Sequence, residues 1–523
     1  MDDGIRWVKS PLAAALAAAV LVAGAAGCSG DGDAAASSEA STTAAPGDAG
    51  VAVDGAGAPD GAEVARPDGP AADLSEELTG GDGPFIGSAT GTAVPEGYVE
   101  QELVAAGTAT DYVAAGELPP DGRWDLRPGT SAEYRTRVLV RRPADPEDAS
   151  GTVVVEWLNV SGGLDANPDY ASLEAEIVRR GHTWVGVSAQ LVGVEGGPVL
   201  VAPPGVEGIV GKGLVALDPP RYGSLRHPGD GFSFDIFTQV ARAVRQGGPA
   251  LGGVEPEVVL AAGESQSAIA LTTYYNGVQP QTLAFDGFLV HSRAFAALPL
   301  VAPGDYADLA GSVTSGSDAV LLRTDLDAPV LELQAEGDVV GVLNSLAARQ
   351  PDTERFRLWE VAGTAHADVT LLGSVADTLD CGPPINDGPL HLVAKAALRS
   401  LDDWVRTGEA PPAADRLEIA GGAVPDIARD TDGIALGGIR TPPVDVPVVV
   451  LSGTPGPGAD LICLLLGSTT PLPAERIAQL YPSADDYLAA YEQAADGAVD
   501  AGFVLAEDRD ALVGFARPEL VGG

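Results

Sequence analysis

Ser265 and His366 sit in settings that suit nucleophilic chemistry. The serine lies in the run Val258-Val259-Leu260-Ala261-Ala262-Gly263-Glu264-Ser265-Gln266-Ser267. Apolar, partly β-branched residues end in Gly-x-Ser-x-Ser, and Ala268 to Leu271 then has helical composition. A strand that breaks abruptly into a helix, with serine at the break, is the sequence form of a nucleophile elbow. Small residues are needed on either side, because a Cβ would clash where strand and helix nearly touch. The turn holds the hydroxyl clear of the backbone at the positive end of a helix. The usual pattern ends in glycine; Ser267 stands there instead and is also small. The same pentapeptide also suits a serine N-cap on an ordinary helix, so the chemistry needs partners elsewhere in the chain.

A serine hydroxyl is a poor nucleophile until a base takes its proton and a third group orients that base. The chain has 5 histidines. His182 and His227 precede the elbow, His291 ends the strand after it, and His391 lies in a late helical pattern. His366 follows the last strongly apolar strand, in Gly363-Thr364-Ala365-His366-Ala367-Asp368. The chain order nucleophile, acid, histidine therefore selects His366 as the base. The acid is expected after a strand between the two. Pro329 to Gln334 (PVLELQ) leads into Glu336 and Asp338. Asp338 is the expected acid, Glu336 its close rival and Asp368 a weaker one. A tetrahedral oxyanion also needs preorganised donors. One is expected from the backbone N–H of Gln266, the other from the Gly-rich loop Trp157 to Gly163, with Asn159 and Val160 as candidates.

Other chemistries find less support. The histidines are scattered without His-x-x-x-His spacing, so no metal site is expected. No Gly-rich phosphate loop occurs, so no nucleotide cofactor is implied. Ser265 stands where a haloalkane dehalogenase needs aspartate. Lys and Arg number 30 against 74 Asp and Glu, a formal net charge of −44. That balance argues against nucleic acid, which needs a basic footprint, and against docking on anionic lipid through a basic patch. A neutral or a cationic substrate would meet less repulsion than an anionic one, and a neutral small-molecule ester is the expected partner.

The elements that must position these groups alternate. Tyr98 to Ala106 and Ala132 to Arg142 read as early strands. Strands are also expected at Gly151 to Asn159, Thr183 to Ser188, Val258 to Glu264, Phe285 to Val290, Val330 to Gln334 and Phe356 to Val361. Helices are expected at Tyr170 to Arg180, Phe232 to Gln246 and Pro389 to Thr407, with one or two more in Pro473 to Ala495. Strands alternating with helices imply an α/β fold, a mostly parallel central sheet flanked by helices. Residues 85–412 are read as this core and 413–523 as a C-terminal extension that packs on it or caps the site. Residues 1–27 read as an export signal, with Arg6 and Lys9 before an apolar stretch. Small residues directly before Cys28 resemble a bacterial lipobox, so the protein is expected on the outer face of the cell membrane as a lipoprotein, or secreted. The membrane is then a partner only through that N-terminal anchor. Residues 28–84 read as a flexible, low-complexity tether. Cys381 and Cys463 either pair in an oxidising compartment or remain separate buried thiols.

The set VEWLNVSGG (Val155 to Gly163), RYGSLRHPGDGFSFDIF (Arg221 to Phe237), GESQSAIALTTYYN (Gly263 to Asn276), GTAHAD (Gly363 to Asp368) and CGPPINDGPLH (Cys381 to His391) resembles the bacterial "alpha/beta hydrolase domain" family. The likeness runs from about Phe85 to the end, through GGIRTP (Gly437 to Pro442) and LYPSADDY (Leu480 to Tyr487). The resemblance implies an α/β-hydrolase fold with a Gly-x-Ser-x-Ser elbow, mapping onto Ser265 and His366. It marks the acid less clearly. The expected activity is that of a serine esterase working through an acyl-enzyme. A peptidase or amidase on the same triad, and a surface-tethered binding protein on a hydrolase scaffold, are the alternatives.

Overall fold

The computed structural model describes residues 66–199, 208–308, 318–422, 424–455 and 462–522. The expected export signal, Cys28 and most of the expected tether lie outside the described residues.

The apolar runs become strands β1 (Asp73–Glu77), β2 (Tyr98–Ala114), β3 (Leu126–Pro143), β4 (Thr152–Trp157), β5 (Thr183–Val187), β6 (Val258–Glu264), β7 (Gly287–His291), β8 (Val330–Ala335) and β9 (Phe356–Val361). They share one sheet in the order β1-β2-β3-β5-β4-β6-β7-β8-β9. From β5 through β9 all neighbours are parallel. β1, β2 and β3 add antiparallel at the β5 edge. Every residue of β4, β5, β6, β7 and β8 is buried. Continuous apolar runs suit that position, because helices cover both faces of a parallel sheet.

The two faces divide the strand residues by parity. Val153 and Val155 of β4, with Val259 and Ala261 of β6, face helices α2 (Ser233–Arg245) and α3 (Gln266–Thr273), where Phe237, Val240 and Ile269 meet them in one core cluster. Val154, Leu260 and Ala262 face the other way, into a cluster with Leu173 and Ile177 of α1 (Pro168–Arg180) and Leu392 and Leu401 of α4 (Leu390–Thr407). Each fully buried aliphatic side chain of this kind stabilises the fold by about 1.5–3 kcal/mol. Trp157, at the end of β4, and Trp359, within β9, are fully buried in the same two clusters.

The ordered body starts earlier than Phe85, so residues 66–84 are not part of a flexible tether. β1 pairs with β2, Ala72 N–H donates to Gln239 O (2.9 Å), and Leu78 N–H donates to Glu102 O (2.8 Å). Ala72 and Leu78 are buried and Leu74 is half-buried, while Asp73, Ser75, Glu76 and Glu77 are exposed. An edge strand with so few inward residues has no apolar run to reveal it.

The C-terminal stretch continues from the β9 edge. Ile439 N–H donates to Glu360 O (2.7 Å) and Ala362 N–H to Ile439 O (3.0 Å), a parallel bridge beside β9. Helices α5 (Ala474–Leu480) and α6 (Ala484–Asp500) follow, and Ala495 and Ala498 of α6 enter the α1–α4 cluster. Cys381 and Cys463 form a disulfide across a separation of 82 residues. Closing so long a loop restricts the unfolded chain, so reduction or Cys463→Ser is expected to lower unfolding free energy by about 2–5 kcal/mol. Denaturant melts with and without reductant measure it; coincident curves would show that the bridge adds nothing.

Candidate active site

β6 ends at Glu264 and α3 begins at Gln266, leaving Ser265 as the one residue between strand and helix. Its backbone sits at φ 59°, ψ −118°. Residues other than glycine rarely adopt such a conformation, which stores strain of about 1–3 kcal/mol and persists only where the surroundings impose it. Here they do: Ser265 N–H donates to His291 O (2.8 Å), and Ile269 N–H donates to Ser265 O (3.1 Å). The glycine of the motif has a steric reason. A Cβ on Gly263 would lie 2.9 Å from Leu271 Cδ1 and 3.0 Å from the Ser267 backbone.

Three of the expected residues meet in one hydrogen-bonded chain. His366 Nε2 lies 3.0 Å from Ser265 Oγ, and His366 Nδ1 lies 2.7 Å from Asp338 Oδ1. All three are buried. Asp338 Oδ2 accepts from Ala335 N–H (2.7 Å), which fixes the carboxylate plane. With Nδ1–H donating to Asp338, Nε2 is free to accept the serine proton. Glu336 stands apart. Its Oε2 accepts from Gly363 N–H (2.7 Å), and its Oε1 accepts from Gly453 N–H (2.9 Å) and pairs with Arg429 (2.5 Å). It ties the His366 loop to the C-terminal stretch. The approach is so close that a Cβ on Gly453 would lie 2.2 Å from Gly337 N. Asp368 caps the short helix Val369–Leu372 by accepting from Leu371 N–H (2.9 Å).

Of the expected oxyanion donors, Gln266 supplies the first N–H of α3, which has no intrahelical acceptor. Val160 N–H donates to the Gln266 side-chain oxygen at 3.2 Å, so it reaches an oxyanion only when that side chain yields. Asn159 is not a backbone donor. The loop folds back on itself, and Asn159 N–H is committed to Ala166 O at 2.9 Å. Its side chain instead donates from Nδ2 to Glu264 O at 3.1 Å, bracing the elbow.

Sequence reasoning missed Glu264, Asp169 and His291. Glu264 Oε1 lies 3.4 Å from His366 Nε2, and His291 Nδ1 lies 2.9 Å from Asp169 Oδ1. Glu264 and His291 are register partners on β6 and β7. Asp169 lies in the first turn of α1, just past β4. All three cluster outside the carboxyl ends of parallel strands, where sites of open α/β sheets form, and that rule was the available signal. Among the described residues no group of three or more His, Cys, Asp or Glu side chains is arranged to hold a metal ion.

The electrostatics follow from burial. Desolvation pushes the Glu264 carboxyl up to about 7. Burial opposes charge on His366, but Asp338 and then Glu264 outweigh it, and the imidazole sits above its ordinary range. A base must be neutral to accept a proton, so activity that depends on His366 is expected to be lost as pH falls through this raised value. Glu264→Gln removes one source of the rise. The acid limb of kcat/KM is expected to move to lower pH in that variant; a pH–rate profile identical to wild type would take Glu264 out of the electrostatics.

Residues 67–514 match a family model described as "Alpha/beta hydrolase domain". The chain belongs to that family. Its fold is the α/β-hydrolase fold. No curated protein matches it. Among solved structures it is similar to a fungal esterase of Rhizomucor miehei, at 14% identity over 61% of this chain and 87% of that chain, TM-score 0.32. It is also similar to carboxyl esterase 2 of Tuber melanosporum, at 13% identity over 57% and 88%, TM-score 0.28. A third is a thermostable esterase of Pseudomonas putida, at 13% identity over 56% and 81%, TM-score 0.28.

Proposed function

We propose that this protein is a serine hydrolase that cleaves neutral carboxylic esters through an acyl-enzyme on Ser265. The observation that carries the reading is the unbroken chain Asp338–His366–Ser265, with separations of 2.7 and 3.0 Å, ending on a backbone-strained serine at a helix start. His366 Nε2 takes the hydroxyl proton as Oγ attacks the ester carbonyl. Asp338 stabilises the imidazolium that forms. The Gln266 N–H, joined by Val160 N–H once the Gln266 side chain shifts, meets the developing oxyanion. His366 then returns the proton to the departing alcohol. Water repeats the sequence on the acyl-enzyme. A neutral substrate fits the charge: the chain carries −44 overall, and Glu264 and Asp368 both border the His366 side of the site.

A fluorophosphonate probe tests the reading. Labelling of the wild type that disappears in Ser265→Ala supports it. Folded wild-type protein that takes no label would favour a binding protein on a hydrolase scaffold.

A further inference from the structure

The second histidine–carboxylate pair has no part in the mechanism above. Asp169 Oδ1 holds His291 Nδ1 at 2.9 Å, with both residues buried. The other edge of the ring, Nε2, is buried without a protein partner among the described residues. An unsatisfied buried polar atom is costly, and native structures rarely leave one without a ligand or water. The ring lines a cavity of about 20 Å³ that it shares with Glu264, His366 and Asp368. One water needs roughly 10–15 Å³ of such space, so the cavity has room for a single water. Its lining brings together His291, whose Nε2 is unpartnered, the Glu264 carboxyl and the proposed base His366.

We propose that Asp169 and His291 form a water-positioning pair that, with Glu264, holds the hydrolytic water beside His366 for deacylation. The inference rests on the acyl-enzyme reading. Burial disfavours charge on His291, but its bond to Asp169 outweighs that and moves the imidazole above its ordinary range, which favours a proton on Nε2 as well as on Nδ1. In the step it serves, the water oxygen bonds to the acyl carbonyl carbon and the carbonyl electron pair moves onto oxygen. One water proton passes to His366 Nε2. The intermediate collapses as the carbon–Oγ bond breaks; its electron pair stays on Ser265 Oγ, which recovers the proton from His366. A carboxylic acid and free enzyme result.

The test separates the two half-reactions. p-Nitrophenyl acetate acylates the protein, nitrophenolate release in the first turnover gives the acylation rate, and intact-protein mass spectrometry follows loss of the acetyl group. His291→Asn keeps a nitrogen where Nδ1 meets Asp169 and removes the Nε2 edge. Deacylation is expected to slow about ten- to hundredfold, as for other displaced reactants, with acylation within about twofold. His291→Gln, which places an amide nitrogen near the Nε2 position, is expected to recover most of the loss. Asp169→Asn, read with thermal melting, provides a second route should His291→Asn fold poorly; it too is expected to slow deacylation selectively. Equal slowing of both half-reactions, or wild-type deacylation in the folded variants, would overturn the water site and leave the serine reading standing. Wild-type protein that takes no acetyl group would overturn the serine reading and this inference with it.

Discussion

Ser265→Ala is expected to lower ester turnover by about five to six orders of magnitude, the scale seen when a triad nucleophile is removed. The same substitution is expected to leave thermal melting close to wild type. The two halves of this outcome have different physical origins. Turnover collapses because no other hydroxyl lies within bonding distance of His366 Nε2 among the described residues; the neighbour at 3.4 Å is Glu264, a carboxylate. Stability survives because the elbow is held by backbone bonds, from Ser265 N–H to His291 O and from Ile269 N–H to Ser265 O, which alanine keeps. Alanine also bears the same strain at φ 59° that serine does, so the variant neither gains nor loses on that count. Turnover of p-nitrophenyl acetate and a circular-dichroism melt measure both halves. Residual activity above about a thousandth of wild type would point to a different nucleophile.

The elbow could be read in the sequence because its features are local. A continuous apolar strand, two small residues and a helical run suffice, and all occur within Val258 to Leu271. His366 could be read because chain order constrains it. The acid could not be fixed, since Glu336 and Asp338 follow β8 within one helical turn. Two residues apart on a helix, their side chains point to nearly opposite sides, and only the position of the His366 loop decides which one meets the ring. The role of Asn159 was misread for a similar reason: whether its N–H is free depends on the loop folding back to Ala166. The Glu264–His291 adjacency was hidden because it arises from β6 and β7 lying side by side in register, which spacing along the chain does not encode. β2 and β3 run beyond their apolar stretches: Arg127 to Ser131 of β3 is exposed without alternation, and Gly107 to Ala114 of β2 buries Asp111 among its residues, so neither outer half carries a clear strand period.

The competing carboxylates give the most discriminating pair of substitutions. In Asp338→Asn, the side-chain oxygen is claimed by Ala335 N–H, now 2.7 Å from Oδ2. The amide NH₂ must then face His366 Nδ1. A donor there forces Nδ1 to accept, placing the ring proton on Nε2, where it blocks uptake of the serine proton. The negative charge that would stabilise the imidazolium is gone as well. A loss of about 10⁴ in kcat is expected, the scale known for this tautomer fault in a serine protease triad. The fold should change little, because an amide occupies the same volume and keeps the bond to Ala335. Glu336→Gln should do the reverse. One neutral oxygen then serves Gly363 N–H, Gly453 N–H and Arg429 where two charged oxygens did, and Arg429 loses its counterion. Leaving such buried donors under-satisfied is expected to lower stability by about 1–3 kcal/mol. Turnover should fall far less than in Asp338→Asn, because Glu336 makes no bond to His366. Measured side by side, kcat and the unfolding midpoint should move in opposite orders in the two variants. If Glu336→Gln instead costs more turnover than Asp338→Asn, the imidazole is oriented by Glu336 during the reaction, and Asp338 is a cap on its own short helix.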